Sequence, residues 1–233
     1  MLNPLRPWHR FVQQSLRLVV KGVCPLCQRA TSGAFCPACQ RRLLQCQRSP
    51  AWKSVSGLPI FAWGRYEGAL KQAIAALKYY NQPQLAEPLG HWMAQAWATQ
   101  AAGIRSAIVV PIPMHRQKQQ QRGFNQAAKL AESFCLSTGL TLTSKGLTRV
   151  RATEAQFNLS IAARQQNLKD AFCLGTALAK QSPNHPVFLL DDIYTTGATV
   201  QAAAQTLRAH NIQVKGIIVL AMAERTAPSA PLP

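Results

Sequence analysis

Residues 187–199 read Val-Phe-Leu-Leu-Asp-Asp-Ile-Tyr-Thr-Thr-Gly-Ala-Thr. Two adjacent carboxylates followed by a Thr/Gly loop are residue types that can hold a phosphorylated sugar. Asp191 and Asp192 can accept hydrogen bonds from ribose hydroxyls, while Thr195, Thr196, Gly197, Ala198 and Thr199 offer backbone N–H groups, hydroxyls and a glycine that allows close approach. For these groups to converge, the apolar run Val187–Leu190 must be a buried parallel strand, being too short for a helix. The acids then emerge at its carboxyl end, where ligands bind in open α/β sheets. A helix over Ala198–Ala209 would aim its positive end at the same spot and favour an anion. The plainer alternative is a strand–turn–helix with acids at a turn and a threonine cap. That reading does not require two acids, two threonines and a glycine in this order.

The order of these parts resembles the 5-phosphoribosyl-1-pyrophosphate (PRPP) signature of type I phosphoribosyltransferases. The resemblance implies that Asp191 and Asp192 hold the ribose hydroxyls, that Thr195–Thr199 hold the 5-phosphate, and that Mg2+ accompanies PRPP. Two further stretches suit the same ligand. Pro113-Met114-His115-Arg116 and Arg122-Gly123-Phe124-Asn125-Gln126 form a loop after a strand, where His115, Arg116 and Arg122 would face a pyrophosphate. Residues 149–167 include Arg149, Arg151, Thr153, Gln156, Asn158 and Arg164; rich in donors and poor in apolar residues, they suit an anion-covering flap. Solvated loops have much the same composition. No residue is assigned a catalytic role.

Four of the seven cysteines are patterned as Cys24-Pro-Leu-Cys27 and Cys36-Pro-Ala-Cys39. Two such knuckles supply a tetrahedral set of thiolates, the usual holder of structural zinc. A redox dithiol is the alternative, but one CxxC suffices for that. Cys46 is only a candidate substitute ligand, because it lies outside the paired spacing, and Cys135 and Cys173 read as buried core thiols.

Net charge is +18, and no Asp or Glu occurs between Met1 and Tyr66, whereas arginines and lysines recur from Arg6 to Arg65. A surface of one sign attracts polyanions. Trp8, Phe11, Trp52, Phe61 and Trp63 are interleaved with these cations and would suit stacking on unpaired bases. A ribosome, acidic lipid or mere solubility would account for the charge equally well. A hydrophobic content of 48% excludes a disordered chain. No apolar stretch approaches the roughly 20 residues that span a bilayer. Basic residues interrupt any signal-peptide core, so a cytoplasmic protein is expected, with or without peripheral contact at the inner face of the membrane.

The elements that must position these groups alternate. The spacing predicts an amphipathic helix over Leu5–Val19, the cysteine module over Lys21–Cys46, a linker around Gln47–Gly57 and a strand at Pro59–Trp63. Helices follow over Tyr66–Tyr80 and Gln84–Gln100, then a strand at Ala107–Val110, a helix over Asn125–Thr138 and a late strand at Ile212–Ala221. Strands alternating with helices imply a mostly parallel sheet.

Taken in order, the two CxxC pairs, Tyr66-Glu67-Gly68-Ala69-Leu70-Lys71, Leu77-Lys78-Tyr79, Val110-Pro111-Ile112-Pro113, Arg122-Gly123-Phe124-Asn125-Gln126-Ala127, Arg151-Ala152-Thr153 and the Asp191–Thr199 signature resemble the ComF family, also described as ComFC or GntX-like. One departure is Ala163, where that family usually carries Glu. The resemblance implies an α/β fold: a type I phosphoribosyltransferase-like, mostly parallel sheet with helices on both faces, plus a small N-terminal zinc-ribbon-like module. The expected division is 1–56 for helix and cysteine module, 57–226 for the phosphoribosyltransferase-like domain with 57–104 as a candidate hood and 105–226 as core, and 227–233 as a disordered tail. It implies a protein of natural competence that binds PRPP and single-stranded DNA, with a DNA-uptake helicase or inner-membrane channel as partner. An active phosphoribosyltransferase in nucleotide salvage is the second reading. A ligand-sensing regulator is the third and lacks an evident helix-turn-helix.

Overall fold

The computed structural model describes residues 22–55, 57–151, 170–179 and 184–223. The expected helix over Leu5–Val19, most of the candidate flap including Arg164, and the C-terminal tail lie outside the described residues.

The cysteine module opens with β1 (Gly22–Val23) and β2 (Ala30–Thr31), an antiparallel pair, and closes with α1 (Pro37–Leu44). Pro37 follows Cys36 at the first helical position, where its missing N–H costs nothing, and Arg41 and Arg42 sit in the last turn against the helix dipole. Next come β3 (Trp52–Val55), β4 (Leu58–Arg65), α2 (Gly68–Tyr79), α3 (Ala86–Gln100) and β5 (Ile108–Pro111). The chain continues through α4 (Arg116–Arg122), α5 (Gln126–Thr138), β6 (Thr141–Leu142), β7 (Leu147–Arg149), β8 (Phe172–Leu174) and α6 (Thr176–Ala179). It ends in β9 (Val187–Tyr194), α7 (Ala198–Ala209) and β10 (Val214–Met222).

Six strands form one sheet in the order β3-β4-β10-β9-β5-β6, parallel throughout except for the edge pair β3-β4. The central strands are apolar on both faces because helices cover both. Phe188, Leu190, Ile218 and Leu220 face the core that holds Leu77, Leu89 and Leu130 of α2, α3 and α5. Leu189, Ile217 and Val219 face Val200 and Leu207 of α7 and Leu147 of the small β7-β8 hairpin. The mostly parallel sheet with helices on both faces is as the sequence implies.

Several expectations are corrected. The apolar run Val187–Leu190 does not end the strand: β9 continues through the acids to Tyr194, because β10 keeps pairing with it, Val219 opposite Asp191 and Met222 opposite Tyr194. The stretch expected as a linker contributes the edge strand β3. Trp52 pins that strand: its indole donates to the Gln100 carbonyl at 3.0 Å, and its ring centroid lies 5.5 Å from those of Phe61 and Trp97. Phe61 and Trp63 are fully buried and so cannot stack on bases. Trp63 instead stacks on Trp92, which stacks on Phe35, fastening the cysteine module to α3. Cys135 is buried as expected, but Cys173 is exposed, because alternation in β8 turns Phe172 inward and its neighbour outward. Residues 57–104 build β4, α2 and α3, with Lys78 at the C-terminal end of α2 reaching Asp192 of β9.

Candidate functional site: an acid pair, a threonine loop and a ring of cations

In the carboxyl-terminal half of β9, Asp191 is partly exposed and Asp192 is 3% exposed. The two are locked together, the Asp192 N–H donating to Asp191 Oδ1 at 2.8 Å. Lys78, in the last turn of α2, places Nζ 2.6 Å from Asp192 Oδ2. Burial alone would push the Lys78 ammonium down, but the charge of Asp192, then its hydrogen bond and the charge of Asp191, hold it above the usual lysine range. Asp191 is pushed well above the ordinary carboxylate range, chiefly by desolvation and then by the charge of Asp192; Lys78 pulls it back only in part. A second proton or a cation is thus favoured beside Asp191.

Further cations lie close enough to be felt there. Arg149 at the end of β7 is lowered by burial and raised by Asp191, and its guanidinium carbon lies 5.5 Å from the centroid of the Phe172 ring. Lys118 of α4 is lowered by burial and then by Arg122, Arg149 and Lys78. Crowded like charges of this kind are relieved by an anion.

The threonine loop lies at the start of α7. Gly197 is the N-cap residue, in the left-handed region at φ 80. A Cβ there would collide with the Tyr194 hydroxyl and ring. Only glycine therefore lets the chain turn over the buried tyrosine and present the amides of the first helical turn. Thr196 Oγ1 accepts from the Ala198 N–H at 3.4 Å. Thr195 is exposed, Thr196 and Thr199 are partly exposed, and Gly197 and Ala198 are buried.

The stretch after β5, expected as a loop, contains the helix α4. Its sequence, Arg-Gln-Lys-Gln-Gln-Gln-Arg, is made of straight-chain residues that favour helix, and Gly123 closes it in the left-handed region at φ 82. The Arg122–Gln126 motif is a helix junction. Phe124 is buried, and Asn125 caps α5 by accepting from Ala127 N–H at 3.0 Å. Its own Nδ2 donates to the Ile112 carbonyl at 3.0 Å, which ties the loop to the end of β5. Arg122 hydrogen-bonds Gln126 Oε1 and lies over Tyr79, its guanidinium carbon 5.5 Å from the ring centroid.

The structure thus brings Asp191, Asp192 and Arg122 into one neighbourhood with Lys78, Lys118 and Arg149; the threonine loop follows the acids at the end of β9. His115 is the N-cap residue of α4 and makes no side-chain capping bond, its Nδ1 buried without a hydrogen-bond partner. Arg116 lines a cavity of about 810 Å³ with Lys145 and Arg149, the last also within reach of Asp191. Arg151 is exposed, after β7. Lys78 and Lys118 were not among the residues expected at the site, and Arg149 was expected only as part of the flap. A lysine breaking the apolar face at the end of α2 was the available signal for Lys78.

The four patterned cysteines converge, their sulfurs all within 4.8 Å of one another. Tetrahedral Zn–S bonds of ~2.3 Å require S···S distances near ~3.8 Å, so the donor set fits zinc. Burial raises the Cys24 thiol, but hydrogen bonds from the backbone of Cys36, Leu26 and Cys27 outweigh it and hold the thiol at about 6. Cys39 is pushed up to about 12 by burial and by the neighbouring sulfurs. Such a crowded set is one that a divalent cation relieves. Cys46 stands apart, its thiol directed at the carbonyls of Arg42 and Glu67. Among the described residues no helix is long and apolar enough to cross a membrane.

The family model for uracil phosphoribosyltransferase matches residues 84–227. The chain is 30% identical to DNA utilization protein YhgH of Salmonella typhimurium over 80% of this chain and 84% of that protein. It is 29% identical to Competence protein F of Haemophilus influenzae, covering 87% and 93% of the two chains. Competence protein ComFC of Bacillus subtilis is 23% identical, covering 84% and 75%. With the phosphoribosyltransferase-type match across most of the chain and these relatives along nearly all of it, the chain belongs to the ComF family.

Proposed function

We propose that this protein binds PRPP in the crevice at the end of β9 and acts on single-stranded DNA during its uptake and use by the cell. The observation that carries the first half is the convergence of the Asp191–Asp192 pair, the threonine loop at the start of α7 and the cations Lys78, Lys118, Arg122 and Arg149. Ribose hydroxyls would meet the acids, the 5-phosphate the amides and hydroxyls of Thr195–Thr199, and the diphosphate the cations. Arg116, His115, Arg151 and Arg164 are the further candidates for the diphosphate. Mg2+, bound with PRPP, would be held by the acid pair and would supply charge neutralisation.

The second half rests on the printed names of the relatives, competence and DNA utilization proteins, and on the charge of +18. Exposed Arg29, Arg41, Arg42 and Lys53 of the N-terminal third are available to phosphates. The cysteine module would hold one structural zinc ion through Cys24, Cys27, Cys36 and Cys39, forming a small unit ahead of the phosphoribosyltransferase-like part. A protein acting on entering DNA would work in the cytoplasm, beside an uptake helicase or inner-membrane channel.

An active phosphoribosyltransferase of nucleotide salvage is the second reading, favoured by the uracil phosphoribosyltransferase match. Pyrophosphate release from PRPP, measured with and without candidate bases or single-stranded DNA, separates the two. Release that depends on a free base supports salvage. PRPP bound without base-dependent release supports the proposed reading.

A further inference from the structure

Tyr79 and Tyr80, at the C-terminal end of α2, are 70% and 72% exposed, while Phe61, Trp63, Phe134 and Phe188 are fully buried. Among the described residues these two are the large aromatic side chains left to solvent. The residue before them, Lys78, is the one that reaches into the acid pair. Arg122 lies over the Tyr79 ring, and Lys118 of the same helix stands near Arg122. An exposed ring with a cation against it, followed in the chain by a second exposed ring, suits unpaired bases, which are held by stacking on rings and by charge on the backbone.

We infer that Tyr79 and Tyr80 form a ledge on which bases of single-stranded DNA stack, their phosphates met by Lys118 and Arg122, cations that the strand shares with the diphosphate of the PRPP crevice beside it. The inference rests on the reading that the protein acts on single-stranded DNA, and it moves base contact away from the tryptophans of the N-terminal third. The partner is committed by charge: a second copy of a chain carrying +18 is repelled from a basic ledge, whereas a polyanion is drawn to it. Duplex DNA hides the faces of its bases and gains nothing from the rings.

The test is fluorescence anisotropy of a labelled oligothymidine against full-length protein over a salt series. Tyr79→Ala and Tyr80→Ala should each weaken binding about fivefold to a hundredfold, while the Phe variants stay within about twofold. The salt slope should not change in the tyrosine variants, but Lys118→Gln and Arg122→Gln should each reduce it by about 0.7. An abasic strand should bind wild type about as weakly as oligothymidine binds Tyr79→Ala. Equal affinity for oligothymidine in wild type and in Tyr79→Ala and Tyr80→Ala would overturn the ledge alone, as would an abasic strand bound as tightly as oligothymidine. Wild type that binds no single strand at all would overturn the DNA reading itself, and calorimetry with PRPP would show that the crevice is a separate question.

Discussion

Lys78 Nζ lies 2.6 Å from Asp192 Oδ2, so the end of α2 and the end of β9 are joined by a buried ion pair. The side chains are 17% and 5% exposed, which makes this a pair whose partners depend on each other. Removing one partner of a buried pair leaves an uncompensated charge and costs about 3–5 kcal/mol. Lys78→Met should therefore destabilise the protein by about that amount in urea unfolding, and adding Asp192→Asn should recover much of the loss. The lysine's value is raised in the fold, so its contribution is complete below the ordinary lysine range and fades only as pH climbs above it. Single and double variants of equal stability at neutral pH would show that the pair is incidental.

Asp191 behaves in the opposite sense. Desolvation and the neighbouring Asp192 raise its value, so ionising it costs the folded state stability. That penalty is absent at pH values below the unfolded carboxylate range and grows as pH rises toward the raised folded value. Asp191→Asn should raise the melting temperature at neutral pH, with the gain shrinking on acidification. The same variant should lose affinity for PRPP with Mg2+, because a cation is what stabilises the ionised acid. A lower melting temperature for Asp191→Asn at pH 7 would contradict the assignment of strain to this carboxylate.

The architecture was largely legible, and its failures have physical causes. Helix periodicity located α2, α3 and α5 because each buries one stripe, as Leu70, Ile74 and Leu77 do in α2. The polar helix α4 has no stripe, so only its composition and Gly123 announce it. Aromatic residues among arginines looked like a base-binding surface, yet period-two alternation in an apolar strand cannot say that both faces are covered, as they are at Trp63. The acids and threonines of the candidate site were readable as a local pattern. Lys78 was not, since its proximity to the acids depends on how α2 meets β9 in space, and Arg149 was readable as a flap cation but not as a neighbour of Asp191.

Purified protein should carry one zinc ion per chain, lost when Cys24 and Cys39 are both replaced by Ser. Each ligand must be a thiolate, so affinity should fall steeply as pH is lowered, and a chelator should act faster in mild acid. The module is fastened to α3 through Phe35 and Trp92, so metal loss should also lower the melting temperature. Metal analysis showing no stoichiometric zinc would contradict this.

Gly197→Ala should disrupt the threonine loop, because the residue sits at φ 80 and its Cβ would strike Tyr194. Strain of this kind costs on the order of 1–3 kcal/mol. PRPP affinity should drop at least about tenfold while circular dichroism stays that of the wild type. Unchanged affinity would show that the loop does not hold the 5-phosphate.

The central claim is that the crevice between α2 and the β9–α7 turn is a PRPP site, and isothermal titration calorimetry with PRPP and Mg2+ tests it most directly. Wild type should bind with saturable heat at one site per chain, and Asp191→Asn with Asp192→Asn should show none while remaining folded. Equal affinity in wild type and the double variant, or no binding by wild type with Mg2+ present, would contradict the account.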